Sequence, residues 1–266
     1  MPIRMNRAIA NYQRTVLRDV LPGLQRRMEA VADGRSIPTL ESMPINSGRK
    51  VTAAIIFFDI CGFTQLTRSD DPQTLKKTLL LLNCVIPAMM RVLYRYDAYV
   101  EKNTGDGLMA VLGIETPNEI TANHALNIAE EMFFVLHAIV NPELVNLGIE
   151  PVRARIGIDM GQILISRIGV PNGSSAHDRN SLTAVGPAAN LASKLQGLAG
   201  ENEIWVGDMV RRYASPERIH LFDCMTPQNW TWTYGGNANN PYHCWRYNGT
   251  IDPLMTVLTG PTPLYR

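Results

Sequence analysis

The sequence predicts an α+β protein with a ferredoxin-like βαββαβ core. Three observations carry this. First, an apolar run rich in β-branched residues, Val51-Thr52-Ala53-Ala54-Ile55-Ile56, reads as a buried strand and leads to Asp59. Second, two short strands over 98–104 and 108–112 flank Gly105-Asp106-Gly107, a hairpin signal. Third, helical patterns separate these strands from the first one and from a fourth over 152–159.

Taken in order, residues 5–32 place Ile9, Tyr12, Val16, Val20, Leu24, Met28 and Val31 at helical spacing, an amphipathic arm suited to packing or dimer contact. Residues 33–49, with Gly34, Pro38, Pro44 and Gly48, read as a linker, which divides the chain into an arm (1–49), a catalytic domain (50–248) and an extension (249–266). Asp71-Pro72 starts a helix to about residue 96, with a kink expected at Pro87. A second helix covers 118–140. The strand over 152–159 is followed by a Met160-Gly161-Gln162 turn and a strand over 163–168. Residues 171–182 read as a polar loop, Gly186-Pro187 opens a helix to Leu198, and Ile204-Trp205-Val206 is a further strand. The tail after 207 reads as irregular, with short strands over 218–248 covering one end of the sheet.

Composition narrows the function. A 266-residue chain with 45% apolar and 18% charged residues buries a real core. Its net charge of +1 argues against a generic nucleic-acid or membrane-surface binder. The four cysteines (Cys61, Cys84, Cys224, Cys244) form no CxxC pair and the five histidines have no metal-spaced partner, so neither a zinc site nor a disulfide framework is expected, and a reducing cytosol fits. The N-terminal residues lack the apolar core of a signal peptide, and the apolar stretch 79–90, interrupted by Asn83 and Pro87, reads as too short to span a bilayer.

The chemistry centres on two acids. Asp59 ends the first strand beside a small corner, Cys61-Gly62, whose backbone N–H groups can cradle phosphate. Asp106 sits in the hairpin, whose tip comes near the end of the first strand in a ferredoxin-like sheet. Converging carboxylates beside such a turn suit a two-metal phosphoryl-transfer site. Each acid also has a plainer reading, Asp59 as a helix N-cap and Asp106 as a turn former.

Four segments carry a family resemblance. Phe57-Phe58-Asp59-Ile60-Cys61-Gly62-Phe63-Thr64 resembles the F-x-D-I-x-G-F-T segment of class III nucleotidyl cyclases. Lys102-Asn103-Thr104-Gly105-Asp106-Gly107 is similar to their K-x-x-G-D segment, and Arg155-Ile156-Gly157-Ile158-Asp159-Met160-Gly161 to their R-I-G-I-x-x-G strand. Gly186-Pro187-Ala188-Ala189-Asn190-Leu191-Ala192-Ser193-Lys194-Leu195 resembles their G-x-x-x-N-x-A-S-R-L helix. The resemblance implies the class III cyclase fold with an N-terminal helix and a β-rich C-terminal extension, and a head-to-tail homodimer with composite sites. Asp59, Asp106 and the Ile60 carbonyl would hold two Mg²⁺ or Mn²⁺ ions. The backbone of Cys61, Gly62, Phe63 and Thr64 would cradle phosphate, and Arg155 would bind it. Asn190 would orient the ribose from the other subunit, and Lys194 would stand at the position that meets the α-phosphate.

Three departures bear on rate and substrate. Lys194 stands where the family usually has arginine, keeping the charge without the planar fork. The usual C-terminal phosphate-gripping lysine segment is not recognisable. In the base pocket, Lys102 matches the base-reading lysine, Thr183 replaces its acidic partner, and Phe58 fills a position where a small residue is common. A bulky Phe58 would favour a single-ring base, although ordinary core packing explains it equally well. Lys102 can donate to a uracil carbonyl and Thr183 can meet the uracil N3–H. The chain most resembles the pyrimidine cyclases of Pycsar antiphage defence, which implies a cytosolic enzyme making cyclic UMP from UTP for a separate effector. The alternatives are a cytidylate or adenylate cyclase, or a nucleotide-binding pseudocyclase.

Overall fold

The computed structural model describes residues 32–33, 43–103, 105–170 and 179–250. The helical arm expected over 5–32, most of the linker, the centre of the polar loop and the extension after 250 lie outside the described residues.

The chain begins with β1 (Ala32–Asp33), β2 (Ser47–Ile60), a single turn α1 (Phe63–Leu66), α2 (Pro72–Arg95), β3 (Tyr99–Asn103) and β4 (Gly107–Leu112). It continues through α3 (Asn118–Val135), a π-helical turn (Leu136–Val140), α4 (Asn141–Asn146), β5 (Ala154–Val170), β6 (Arg179–Val185) and α5 (Pro187–Leu198). It closes with β7 (Ile204–Gly207), α6 (Asp208–Tyr213), β8 (Phe222–Cys224) and β9 (Cys244–Tyr247).

These elements divide into two compact units, one of Met1–Val51 with Leu164–Val185, the other of Thr52–Ile163 with Gly186–Arg266. In the first, the ends of β5 and β6 pair as an antiparallel hairpin, Leu164 opposite Val185 through Val170 opposite Arg179. β1 pairs in parallel with Arg49 and Lys50 at the start of β2. Asn46 N–H donates to the Arg167 carbonyl at 2.7 Å, and Ser166 Oγ to the Ser47 carbonyl at 2.9 Å.

The second unit holds the ferredoxin-like core. Its strands pair in the order β3-β4-β2-β5-β7-β9-β8, so the first core strand lies between the third and the fourth. β2 runs antiparallel to β4, with Ile55 opposite Val111 and Asp59 opposite Gly107. Because successive strand side chains point to opposite faces, Ala54, Ile56, Phe58 and Ile60 enter one core with Leu81, Val85 and Met89 of α2 and Leu126 of α3. Asp59 points the other way. On that opposite face Leu195 of α5 packs with Trp205 and Cys244.

Local chemistry sets the helix ends. Asp71 caps α2, its Oδ2 accepting the Thr74 N–H at 2.9 Å, and Pro72 occupies the first turn. The helix continues through Pro87 to Arg95. At 24 residues the whole helix is long and apolar enough by composition to cross a membrane, which the stretch 79–90 alone is not. Leu81, Val85, Ile86, Met89, Val92 and Leu93 spend part of that apolarity in the core. The second long helix is α-helical only to Val135. It widens into a π turn before Pro142, which has no N–H to continue the ladder, and α4 carries it on to Asn146. Buried Asn141, the first residue of α4, exchanges two hydrogen bonds with the backbone of Val152, at 2.9 and 3.0 Å.

Four expectations are corrected. The first strand starts at Ser47, within the expected linker. The turn at Met160-Gly161-Gln162 does not form. β5 runs straight through it, pairing with β7 before it and β6 after it. The loop expected over 171–182 ends in β6, where Leu182 and Ala184 are buried between more exposed neighbours. The tail after 207 is not irregular at its start, where α6 forms, while the short strands expected over 218–248 are present as β8 and β9 at one end of the sheet.

Asp159 on β5 is 1% exposed, and Tyr242 Oη donates to its Oδ1 at 2.5 Å. Burial pushes its carboxyl up to about 7, against the lowering effect of that hydroxyl. Between 3.8, its unfolded value, and about 7 the folded state therefore holds more protons on this group, and its contribution to stability falls as pH rises. Asp159→Asn is expected to remove a slope of at most about 1.4 kcal/mol per pH unit over that window. Urea unfolding at several pH values checks this, and equal slopes in variant and wild type would contradict it.

Candidate active site

The β2–β4 register builds the site. With Asp59 opposite Gly107, Asp106 stands at the hairpin tip beside the end of β2, and the Ile60 N–H donates to the Asp106 carbonyl at 3.1 Å. Burial pushes the Asp106 carboxyl above its ordinary range. The charge of Asp59 adds to the shift, while Asp106's own backbone and Arg155 oppose it.

Asp59 is held by donors from two elements. Arg155 of β5 donates Nε at 3.0 Å and Nη2 at 2.8 Å to Asp59 Oδ2. Gln196 of α5 donates Nε2 to the same oxygen at 3.0 Å. The Arg155 and Asp59 side chains are 35% and 22% exposed, open enough to exchange partners when an anion or a cation arrives. Thus Arg155, expected on phosphate, is engaged with Asp59 in this structure.

Behind Asp59 the chain turns at Gly62, whose φ of +73° is one that glycine adopts without strain. Among the described residues, the N–H groups of Gly62, Phe63 and Thr64 have no acceptor. Cys61 differs: its N–H donates to the Arg153 carbonyl at 2.8 Å, so it is removed from the expected phosphate cradle. Burial also pushes its thiol up, which keeps it protonated at neutral pH.

The expected base-pocket residues lie on three separate strands, β2, β3 and β6. Phe58 is 2% exposed and lies in the core on the face opposite Asp59, so the pleat makes it a packing residue and not an open wall. Lys102 stands in β3 opposite Met109, and its side chain lies outside the described residues. Thr183 pairs with Ser166 in the other compact unit.

Asn190 and Lys194 lie one turn apart on the exposed side of α5. Lys194 Nζ sits 5.4 Å from the centre of the Trp230 ring, a cation–π contact that orients the ammonium. Trp230 is held in turn by a 2.7 Å bond from Nε1 to the Tyr242 carbonyl. Under the inner side of α5 lies a cavity of about 480 Å³, walled by Asp159, Leu191, Trp232, Tyr234 and Tyr242.

The acids suit a divalent cation site. Two carboxylates of like charge compete, and a cation would relieve them. Among the described residues there is no cluster of three or more metal-binding side chains, so phosphate or water would complete the shell, as is usual for Mg²⁺.

Residues 45–227 match the family model of the adenylate and guanylate cyclase catalytic domain. The chain belongs to this family. A cytidylate cyclase of Staphylococcus aureus is 27% identical over 164 residues, 59% of this chain and 36% of the relative. One of Escherichia coli is 29% identical over 160 residues, 57% of this chain and 33% of the relative. The chain thus spans about a third of the length of these curated relatives. Among solved structures, the guanylyl cyclase Cya2 superposes with a TM-score of 0.61 at 22% identity, over 77% of this chain and 96% of that one. The adenylyl cyclase CyaB from P. aeruginosa gives 0.60 at 20% identity, over 77% and 97%. These likenesses show the cyclase fold, and in this chain the β2–β4 register sets Asp59 opposite Gly107, the neighbour of Asp106.

Sequence reading missed Gln196. The available signal was a polar residue four positions after Ala192, on the inward side of an amphipathic helix.

Proposed function

We propose that this chain is a metal-dependent nucleotidyl cyclase that converts a pyrimidine nucleoside triphosphate, UTP in the first instance, to its 3′,5′-cyclic monophosphate and pyrophosphate. The observation that carries the reading is the convergence of Asp59 and Asp106 beside the N–H groups of Gly62, Phe63 and Thr64, which have no acceptor among the described residues. The 3′-oxygen attacks the α-phosphorus, the bond to the pyrophosphate oxygen breaks, and the 3′-hydroxyl proton passes to solvent. Mg²⁺ or Mn²⁺ held by Asp59, Asp106 and the Ile60 carbonyl would supply Lewis acidity toward the 3′-oxygen and the phosphates. The N–H groups bind phosphate oxygens, and Arg155 leaves Asp59 to join them. Asn190 orients the ribose and Lys194 meets charge at the α-phosphate. Both project from the exposed side of α5, which suits a head-to-tail homodimer where they serve the partner's site. The catalysis is positioning and charge stabilisation.

Lys102 and Thr183 favour uracil by their donors and acceptors. Phe58 no longer contributes to that choice. CTP is the second reading, favoured by the two relatives named cytidylate cyclases. A cytoplasmic messenger role in antiphage defence, acting through a separate effector, extends the same resemblance. Incubation with each of the four triphosphates and Mn²⁺ decides the base. Cyclic UMP is expected to dominate, cyclic CMP would select the second reading, and dominant cyclic AMP would contradict both.

A further inference from the structure

We propose that Gln196 is a positioning residue for the metal ligand Asp59, an inference that rests on the metal reading above. Three donors converge on one carboxylate oxygen: Nε and Nη2 of Arg155 at 3.0 and 2.8 Å, and Nε2 of Gln196 at 3.0 Å, all on Oδ2. This fixes the carboxylate plane and leaves Oδ1 as the oxygen that none of them engages. The two donor residues are not equivalent. Arg155 carries a charge that repels an incoming cation and is the residue drawn toward phosphate. Gln196 is neutral, so it holds Oδ2 without opposing a metal and remains when Arg155 turns away. It orients a ligand as outer-shell donors do at metal sites.

The reach of Gln196 is built into the backbone. A Cβ at Gly157 would lie 2.2 Å from both the Ala192 carbonyl oxygen and the Gln196 nitrogen, so α5 rests directly on bare β5 backbone. Ala192 and Leu195, fully buried, keep the helix there. The side chain of Gln196 therefore leaves the helix at a fixed height over the sheet, on the face that carries Asp59. The same helix presents Asn190 and Lys194 outward.

The test is Mn²⁺ binding to the full chain without nucleotide, read from the electron paramagnetic resonance of free Mn²⁺. Gln196→Met keeps length and helix propensity but removes the donor. It is expected to weaken Mn²⁺ binding about tenfold while the metal-free melting temperature stays at the wild-type value. Gln196→Ala, which adds no bulk, is expected to show the same loss, so misfolding of the Met variant would not hide the answer. Wild-type affinity in either folded variant overturns the proposal, as does a loss seen only together with a lowered melting temperature in both. Asp59→Asn is run in parallel. If it binds Mn²⁺ as wild type does, the metal reading itself fails and the proposal fails with it.

Discussion

Asp106→Ala is expected to lower kcat by at least about a hundredfold, the scale of removing one preorganised electrostatic contact from a phosphoryl-transfer site. Stability should move the other way or not at all. Burial and the charge of Asp59 hold the Asp106 carboxyl above its ordinary range. An acid with a raised folded pKa is harder to ionise in the native protein than in the unfolded chain, so at neutral pH its charge costs stability. Removing it relieves that cost. The Asp106 carbonyl that accepts the Ile60 N–H belongs to the backbone and survives the change. The expected pattern is therefore a dead enzyme that melts at or above the wild-type temperature. Near-wild-type kcat would refute the role of Asp106, and a large fall in melting temperature would mean that it holds the hairpin together.

Gly157→Ala is expected to cost about 3 kcal/mol of unfolding free energy. The added methyl would overlap the Ala192 carbonyl oxygen and the Gln196 nitrogen, each 2.2 Å from its ideal position. These two atoms are the acceptor and donor of one helical hydrogen bond, so the neighbour that must give is helix backbone and not a flexible side-chain end. Either α5 lifts from β5 or the bond breaks. Lifting also withdraws Gln196 from Asp59, so kcat should fall with stability. Urea unfolding reads the effect as a lower midpoint at unchanged slope. A change under about 0.5 kcal/mol, the range of an ordinary surface substitution, would contradict the close packing.

Much of the fold was legible because its strands are short apolar runs bounded by turn residues and its long helices carry caps. Asp71-Pro72 and Gly186-Pro187 marked two helix starts correctly. What escaped had mixed local signals. Gly161 looked like a turn because glycine weakens a strand, yet its backbone stays extended between two pairing segments of β5. β6 was hidden because its alternation of buried Leu182 and Ala184 is brief and follows a cluster of turn formers. At the site, the sequence singled out Asp59, Asp106 and Arg155, but neither the contact of Arg155 with Asp59 nor Gln196. Gln196 lies 137 positions from Asp59, and no local spacing connects them. The misplacement of Phe58 was avoidable. In a strand, neighbours point to opposite faces, so a residue next to Asp59 cannot share its side of the sheet.

The most direct test of the account is product analysis with wild type and Asp59→Asn side by side, each incubated with UTP or CTP and Mn²⁺. Wild type is expected to release pyrophosphate and a 3′,5′-cyclic pyrimidine monophosphate in equal amounts, and Asp59→Asn neither. No cyclic product from either triphosphate, or equal turnover by the variant, would contradict it.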